Sequence, residues 1–378
     1  MDKPIYLDYM ATTPVDPRVA KKMQPYLTDV FGNAASFHFY GHQAKTAIEN
    51  ARSQVATLLN TDPKNIIWTS GATEANNLAI KGIMYFYQHQ GNHIVTCKTE
   101  HKSVLDICKY LETQGFKVTY LTPKPDGLID LYTLEQALRP ETILASIMHV
   151  NNEIGVIQDI AAIGDLLRAR GVLLHVDATQ SVGKLPIDLQ KLKVDLISFS
   201  GHKIYGPKGV GALYLRPKLH LVPQIHGGQQ EQGIRSGTLA TQQIVGMGEA
   251  LHIASQEMSQ EYKRLLRLHQ SLWQELQNLD NVYLNGSLTQ RIAGNLNISF
   301  SDIDGELLLA ALQDLALSTA AACTKAVLEP SHVLKALDVP HNLALNTIRI
   351  SLGRFTSAAE IDFTIKYIKN TVTKLRTK

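Results

Sequence analysis

The chain has 378 residues, 44% of them hydrophobic and 19% charged, a globular composition that argues against long disorder and leaves room for two domains or one large α/β domain with an appendage. Lys plus Arg number 37 and Asp plus Glu 34, and a surplus of +3 gives no reason to invoke a nucleic acid or an anionic membrane as partner. No window approaches the ~18 uninterrupted apolar residues of a bilayer span; the most apolar stretch, 307–323, is broken by Gln313, Asp314, Ser318 and Thr319.

Met1-Asp2-Lys3-Pro4-Ile5-Tyr6 shows no basic segment followed by an apolar core, so no secretory leader is expected. From about residue 64 to 215, short β-type runs alternate with helical patterns. Ile66-Ile67-Trp68-Thr69 predicts a strand, followed by a helix opening at Thr73. His93-Ile94-Val95-Thr96 precedes a helix with Val104, Leu105, Ile107, Cys108 and Leu111 as its apolar residues, and Lys117-Val118-Thr119-Tyr120-Leu121 predicts the next strand. Thr133 and Gln136 have the spacing of a capping box for a short helix that Pro140 ends. Residues 143–148 predict a buried strand. After Asp159 a helix carries Ile160, Ile163, Leu166 and Leu167 on one face as far as Gly171. Residues 172–176 and 194–199 predict two more strands.

Continuous apolar runs separated by helices predict a mainly parallel sheet covered on both faces. Such a sheet carries its ligand beyond the carboxyl ends of its strands. After about residue 240 the texture changes: a long helix over 249–278 leads to a smaller α+β unit with strands near 293–300 and 347–352. A last helix places Ile361, Ile365, Ile368, Val372 and Leu375 on one stripe, with Lys366, Lys369, Lys374 and Lys378 as a solvated face.

Three polar clusters fall just past predicted strand ends. Thr69-Ser70-Gly71-Ala72-Thr73-Glu74 leads into a helix; its exposed N–H groups and the Thr73 hydroxyl suit a phosphate, and equally an ordinary glycine turn with a threonine cap. In Val176-Asp177-Ala178-Thr179-Gln180 an Asp ends an apolar strand, where burial without a partner is costly. A protonated pyridine nitrogen is one such partner; a structural salt bridge or a helix cap is the alternative. Ser198-Phe199-Ser200-Gly201-His202-Lys203 offers a lysine for a Schiff base with an aldehyde cofactor, or one that is simply solvated, with Ser200 and His202 as donors to a phosphate. Each role needs its neighbours, and their joint occurrence in this order points to pyridoxal phosphate.

A family resemblance rests on Tyr6-Leu7-Asp8 with Ala11-Thr12-Thr13-Pro14, Ser70-Gly71-Ala72-Thr73-Glu74, Thr99-Glu100-His101 and Asn151-Asn152-Glu153-Ile154-Gly155. It continues through Asp177-Ala178-Thr179-Gln180-Ser181, Ser200-Gly201-His202-Lys203, Arg235-Ser236-Gly237-Thr238, and Ala322-Cys323-Thr324 with Leu328-Glu329-Pro330. The chain resembles, nearly end to end, the cysteine desulfurases, pyridoxal-phosphate enzymes of fold type I in the class-V aminotransferase group. Its longer cysteine segment resembles the branch that supplies sulfur for iron–sulfur cluster assembly and tRNA thiolation.

The resemblance implies an α/β fold: a large domain (16–250) with a mainly parallel seven-stranded sheet, and a smaller α+β domain (251–378). Residues 1–15 would pack with the smaller domain, which carries the cysteine loop (about 318–330). It implies that Lys203 holds the cofactor and later acts as base, that Asp177 meets the pyridine nitrogen, that Gln180 and Asn152 sit near the ring hydroxyl, and that His101 stacks on the ring and carries protons. Ala72, Thr73, Ser200 and His202 would hold the phosphate, joined by Thr238 from the second subunit of a homodimer. Arg349, in Ile348-Arg349-Ile350-Ser351, matches the clamp on the substrate carboxylate, a task that suits a guanidinium, with Asn152 beside it. L-cysteine would give L-alanine and a Cys323 persulfide for an iron–sulfur scaffold protein and sulfur-relay acceptors. No fixed metal is implied, only transient ligation of a nascent 2Fe–2S cluster by Cys323 with a scaffold partner, and no direct contact with nucleic acid or membrane.

Three cysteines without a C-x-x-C pair predict a reducing, cytoplasmic setting with neither a disulfide scaffold nor a closed zinc site. Cys97 ends an apolar strand and Cys108 lies on an apolar stripe, so both read as packing residues. Cys323 follows Ser318-Thr319-Ala320-Ala321-Ala322 in a small, polar stretch suited to an exposed loop, and Lys325 favours its thiolate. The chain departs from the family at Ala34, usually proline, and at Gln232, commonly arginine, which implies one cation fewer near the entrance. Thr319-Ala320-Ala321 replaces a Ser-Gly-Ser pattern and predicts a stiffer loop, and Lys378 ends the chain short of the extension with which many relatives dock the scaffold. Two rival readings remain at this level: an aminotransferase, β-lyase or selenocysteine lyase, which needs no loop cysteine, and a catalytically silent sulfur-relay protein that keeps the fold.

Overall fold

The apolar runs assemble into one seven-stranded sheet in the computed structural model, which describes residues 3–377 except 320, 325 and 326, and leaves out the side chains of 321–324, 327 and 328. The strands are β1 (Ile66–Thr69), β2 (His93–Cys97), β3 (Lys117–Leu121), β4 (Thr142–Met148), β5 (Leu173–Asp177), β6 (Leu196–Ser200) and β7 (Gly211–Leu215), in the order β1-β7-β6-β5-β4-β2-β3. Six run parallel, and β7 is antiparallel to both its neighbours. Sequence patterning gives no strand at β7, because Gly206, Gly209 and Gly211 interrupt the apolar run. Glycine is required at 211: a Cβ there would stand 2.6 Å from Gly71 Cα and from the Phe199 carbonyl oxygen.

Alternate residues of a strand serve opposite cores. Ile66 and Trp68 join Val55 and Leu59 of α1 (Phe39–Leu59) on one face. Ile67 joins Ala79 and Ile83 of α2 (Ala72–Phe86) and Val104 and Leu111 of α3 (Lys102–Thr113) on the other. α4 (Leu131–Ala137) corrects the expected capping box. Asp130 caps it, accepting the Thr133 N–H at 3.0 Å, and the helix stops before Pro140. A carboxylate is a good acceptor at the positive end of a helix, so Asp130 takes the cap from Thr133. α5 (Ile160–Ala169) begins as predicted, Asp159 accepting from the Ala162 N–H at 3.0 Å, and Gly171 follows its end at φ +70°.

α6 (Thr241–Leu276) starts before the predicted residue 249 and serves two cores. Ile244, Met247 and Leu251 pack under the large sheet, whereas Leu265, Leu272 and Leu276 pack on a second one. That sheet is antiparallel and comprises β8 (Val282–Leu284), β9 (Asn295–Phe300), β10 (Ser318–Thr319) and, after a hairpin of β11 (Ala321–Thr324) and β12 (Val327–Pro330), β13 (Thr347–Ser351). Its order is β10-β13-β9-β8. α7 (Ala358–Arg376) covers it with Ile361, Ile365, Ile368 and Val372, the stripe that periodicity predicts. Ile5–Tyr6 pairs in parallel with Leu315–Ala316, and Asp8 bridges to Ser351, which brings the N-terminal segment to the junction of the two sheets. Among the described residues no helix is long and apolar enough to cross a membrane.

Candidate active site

A cleft of about 590 Å³ opens beyond the carboxyl ends of the parallel strands. It is lined by Ala72, Thr73, His101, Asn152, Asp177, Gln180, Ser200, His202, Lys203 and Arg349, so ten of the expected site residues meet in one place.

Lys203 follows β6 in the short 3-10 turn Gly201–Lys203. Its Nζ donates to the main-chain carbonyls of Met10 (2.8 Å) and Ala11 (2.6 Å). Burial, and after it the Arg349 charge, pushes this amine down to about 8, against the pull of Asp8 and Asp177. It is therefore available as free base near neutrality, which an ordinary lysine is not. The same N-terminal segment holds His202: Thr12 Oγ1 lies 3.1 Å from its Nδ1, and the Thr13 hydroxyl donates to its carbonyl at 3.0 Å. Burial, reinforced by the charge of Lys203, pushes His202 down to about 4, so the ring is neutral.

Asp177 ends β5 and is only 4% exposed. Neutral donors hold its carboxylate: Asn76 Nδ2 at 2.9 Å and the Thr179 N–H at 3.0 Å. Asn76, buried on α2, gives its other N–H to Ser103 Oγ at 2.9 Å. The Ser103 hydroxyl stands 2.8 Å from His101 Nδ1, which also accepts the Ser103 main-chain N–H at 3.1 Å. Asn76 thereby ties the orientation of Asp177 to that of His101. With Nδ1 accepting, a neutral His101 carries its proton on Nε2. Burial lowers the pKa of His101 and favours that neutral form, against the Asp177 charge.

The first turn of α2 is open. Gly71 supplies no side-chain cap, and nothing stands within 4 Å of where its Cβ would be. Ser200 Oγ and Thr179 Oγ1 line the same cleft and are buried without a hydrogen-bond partner. Orphaned buried hydroxyls mark where the oxygens of a ligand belong. The free N–H groups at Ala72 and Thr73, the Ser200 hydroxyl and the neutral His202 fit a phosphate, and Asp177 fits a pyridinium nitrogen. Glu74 pairs with Arg235 at 2.7 Å and accepts the Ser70 N–H at 2.8 Å, which fastens the 235–238 segment beside this turn.

Arg349, on β13, reaches the cleft from the second sheet. Nη1 donates to the Asn152 carbonyl (2.7 Å), and Nη2 to Asp8 Oδ1 (2.7 Å) and Ser318 Oγ (2.8 Å). Its Nε is buried and unpaired. A buried guanidinium with an unused N–H is prepared for a carboxylate.

Two expected residues lie elsewhere. Thr238 is exposed and lines a different cleft with Ala34, Arg52, Lys64, Glu231 and Gln232. Gln232 donates to the Lys64 carbonyl there at 3.2 Å. The Cys323 side chain lies outside the described residues, as do Ala320, Lys325 and the stiffness expected of their loop; the Cys323 backbone pairs opposite Leu328 in the β11–β12 hairpin. Cys97 and Cys108 are buried as packing residues, burial pushing Cys97 up to about 11 and Cys108 higher still. Sequence reasoning gives no role to Asp8, Met10, Ala11, Asn76 or Ser318. Asp8 and Ala11 stand in a family motif, which is a signal; a main-chain carbonyl leaves none in residue type.

A mainly parallel sheet that brings a partly neutral lysine, a buried aspartate and an uncapped helix N-terminus into one cleft defines a pyridoxal-phosphate-dependent enzyme of fold type I. The class-V aminotransferase family model matches residues 5–363, and the chain belongs to that family, in its cysteine desulfurase branch of the IscS/NifS type. It is 59% identical to cysteine desulfurase IscS of Edwardsiella ictaluri and to that of Klebsiella pneumoniae, over 100% of this chain and 94% of each relative. Among solved structures, a NifS-like protein matches with a TM-score of 0.93 at 37% identity, over 98% of this chain and 100% of that one. SspA in complex with cysteine matches with a TM-score of 0.84 at 39% identity, over 93% of this chain and 100% of that one.

Proposed function

We propose that Lys203, Asp177, His101, Arg349 and Cys323 act together on L-cysteine, the amino acid and the Cys323 thiol giving L-alanine and a Cys323 persulfide. The observation that carries this reading is the meeting of a lysine, a histidine and an arginine with an unpaired Nε in one cleft, Arg349 being bonded to Ser318, five residues before Cys323.

In this reading Lys203 would hold pyridoxal phosphate, with Asp177 for its ring nitrogen, Gln180 and Asn152 for its ring hydroxyl, and His101 for the face of the ring. Ala72, Thr73, Ser200 and His202 would take the phosphate. Bound there, the cofactor supplies an electron sink for charge that develops at the substrate α-carbon. Arg349 takes the substrate carboxylate through its unpaired Nε and so orients the α-carbon. Lys203, at about 8, takes the α-proton, and the Met10 and Ala11 carbonyls stabilise the ammonium that results. The Cys323 thiolate forms the S–S bond as the substrate Cβ–S bond breaks; that bond's electron pair remains on carbon, where a proton completes alanine. His101 Nε2–H is the group that carries a proton between cleft and solvent.

A homodimer completes the site, with Thr238 of a second copy joining the phosphate. Support comes from an exposed apolar stretch, Leu27, Phe31, Phe37, Phe39 and Tyr40, of which Phe37 is 94% exposed. Ala34 and Ala35, within that stretch, share the second cleft with Thr238. The large and small domains divide near residue 250, within α6, and the persulfide serves an iron–sulfur scaffold protein and tRNA-thiolation relays in the cytoplasm. The test is to incubate the enzyme with L-cysteine, measure alanine, and identify the sulfurated thiol by mass spectrometry. Equal alanine and Cys323 persulfide in a single turnover are expected. Sulfur on Cys97 or Cys108, or alanine without any persulfide, overturns the assignment.

A further inference from the structure

Met10 lines the active cleft and also a second, water-sized cavity of about 40 Å³, together with Tyr9, Lys184, Tyr205, Glu261 and Tyr262. Lys184 is partly buried there, and among the described residues no carboxylate is paired with it, so an ammonium at this place needs a reason. Its Nζ donates to Gln180 Oε1 at 3.1 Å. Gln180 Nε2 in turn donates at 2.9 Å to the Met10 carbonyl, the same oxygen that receives Lys203 Nζ at 2.8 Å. An ammonium only donates and a carbonyl only accepts, so these two neighbours permit one orientation of the Gln180 amide. One Nε2 N–H is left over, and Gln180 lines the active cleft.

We propose that Lys184 is a positioning residue of the reaction: its hydrogen bond to Oε1 locks the Gln180 amide so that Nε2 is the donor presented to an anionic oxygen of bound pyridoxal phosphate. The groups that face Lys184 agree with this. Glu261 raises its proton affinity, whereas Lys203 and Arg349 lower it. Burial is the largest influence and brings it to about 7; the neutral amine still donates, and the Met10 carbonyl, which only accepts, keeps Nε2 as the donor in either state. Tyr9, Tyr205 and Tyr262, from the N-terminal segment, the 204–205 turn and α6, complete the wall of the cavity.

The inference rests on the cofactor assignment and not on the desulfurase chemistry, so it is tested without L-cysteine. Pyridoxal phosphate affinity and the pH dependence of the cofactor absorption band are measured in the full-length enzyme and in Lys184→Met, Lys184→Gln, Gln180→Leu and the Lys184→Met/Gln180→Leu double variant. Lys184→Met is expected to weaken binding about tenfold, the scale of one hydrogen bond to a charged group, and to shift the band's pH dependence. Lys184→Gln, which keeps a donor without the charge, restores affinity to within about threefold. In the Gln180→Leu background the effect of Lys184→Met shrinks below about twofold, because the two residues act as one unit. Unchanged binding in Lys184→Met, equal loss in Lys184→Met and Lys184→Gln, or an undiminished effect without Gln180 overturns the proposal. Failure of the unaltered enzyme to bind the cofactor would instead overturn the cofactor assignment.

Discussion

Replacing Arg349 by Met tests two functions of one side chain. The guanidinium makes three hydrogen bonds within the protein, to the Asn152 carbonyl, Asp8 and Ser318, and has a buried Nε to spare. Loss of a buried, charge-assisted contact to a substrate carboxylate costs about 3–4 kcal/mol, which is an increase of about 10²–10³ in the apparent Kd for L-cysteine. Arg349 is also the strongest charge holding Lys203 down, while Asp8 pulls the other way. Arg349→Met should therefore move the Lys203 midpoint up from about 8, and Asp8→Asn should move it down. Arg349→Lys separates the two effects, since it keeps the charge but loses the planar fork. L-cysteine affinity is read by titrating the cofactor band. The lysine midpoint is read from the pH dependence of cofactor uptake by enzyme stripped of pyridoxal phosphate. Binding of L-cysteine within about threefold of the unaltered enzyme in Arg349→Met would refute the clamp. Midpoints that move in the same direction in Arg349→Met and Asp8→Asn would refute the electrostatic account.

Cys323→Ser is expected to keep the cofactor band and lose persulfide formation altogether, as checked by mass spectrometry after L-cysteine; turnover at the original rate would remove Cys323 from the mechanism. Asn76→Leu leaves the Asp177 carboxylate and Ser103 each short of a donor, which should cost about 1–3 kcal/mol of stability in urea unfolding and lower kcat about tenfold or more with cofactor still bound. Stability should also follow pH with a definite sign. The folded Lys203 pKa of about 8 lies below its ordinary 10.5, so between those values the unfolded chain binds more protons and stability rises with pH. The thermal midpoint of cofactor-free enzyme is thus expected to gain more between pH 8 and 10 than that of Lys203→Met, and parallel curves would contradict the depressed pKa.

Much of this was legible in the amino-acid sequence, and what was not has physical causes. Buried strands announce themselves by unbroken apolar runs, which is why β1 to β6 fall close to their predicted places. β7 and the start of α6 do not, because both hinge on glycines kept for contact and not for local propensity. In α6, a Cβ at Gly246 would stand 2.6 Å from Met23 Sδ and one at Gly248 2.6 Å from Ala51 Cβ, so close helix packing overrides a poor helix former. Asp177, Lys203 and the Gly71 turn were visible because the end of a parallel strand is a defined place for polar side chains. Asn76 was hidden on a helix that reads as ordinary core, and the carbonyls of Met10 and Ala11 carry no side-chain signature.

The N-terminal segment deserves the same standing as the strand ends, for an electrostatic reason. Lys203 comes from the large sheet and Arg349 from the small one, and the Arg349 charge makes it costlier to charge Lys203. Residues 8–11 answer with acceptors: Asp8 for Arg349, and the Met10 and Ala11 carbonyls for Lys203. Asp8 leaves Nε unpaired, so a substrate carboxylate bound there as proposed would bring a second negative charge to the guanidinium. Part of what holds the lysine down is then cancelled. In the proposed reaction Lys203 would then become more basic as the substrate arrives, when a proton must be taken from its α-carbon. Through one carboxylate and two main-chain carbonyls this segment thus sets how strongly the charge of Arg349 is felt at Lys203.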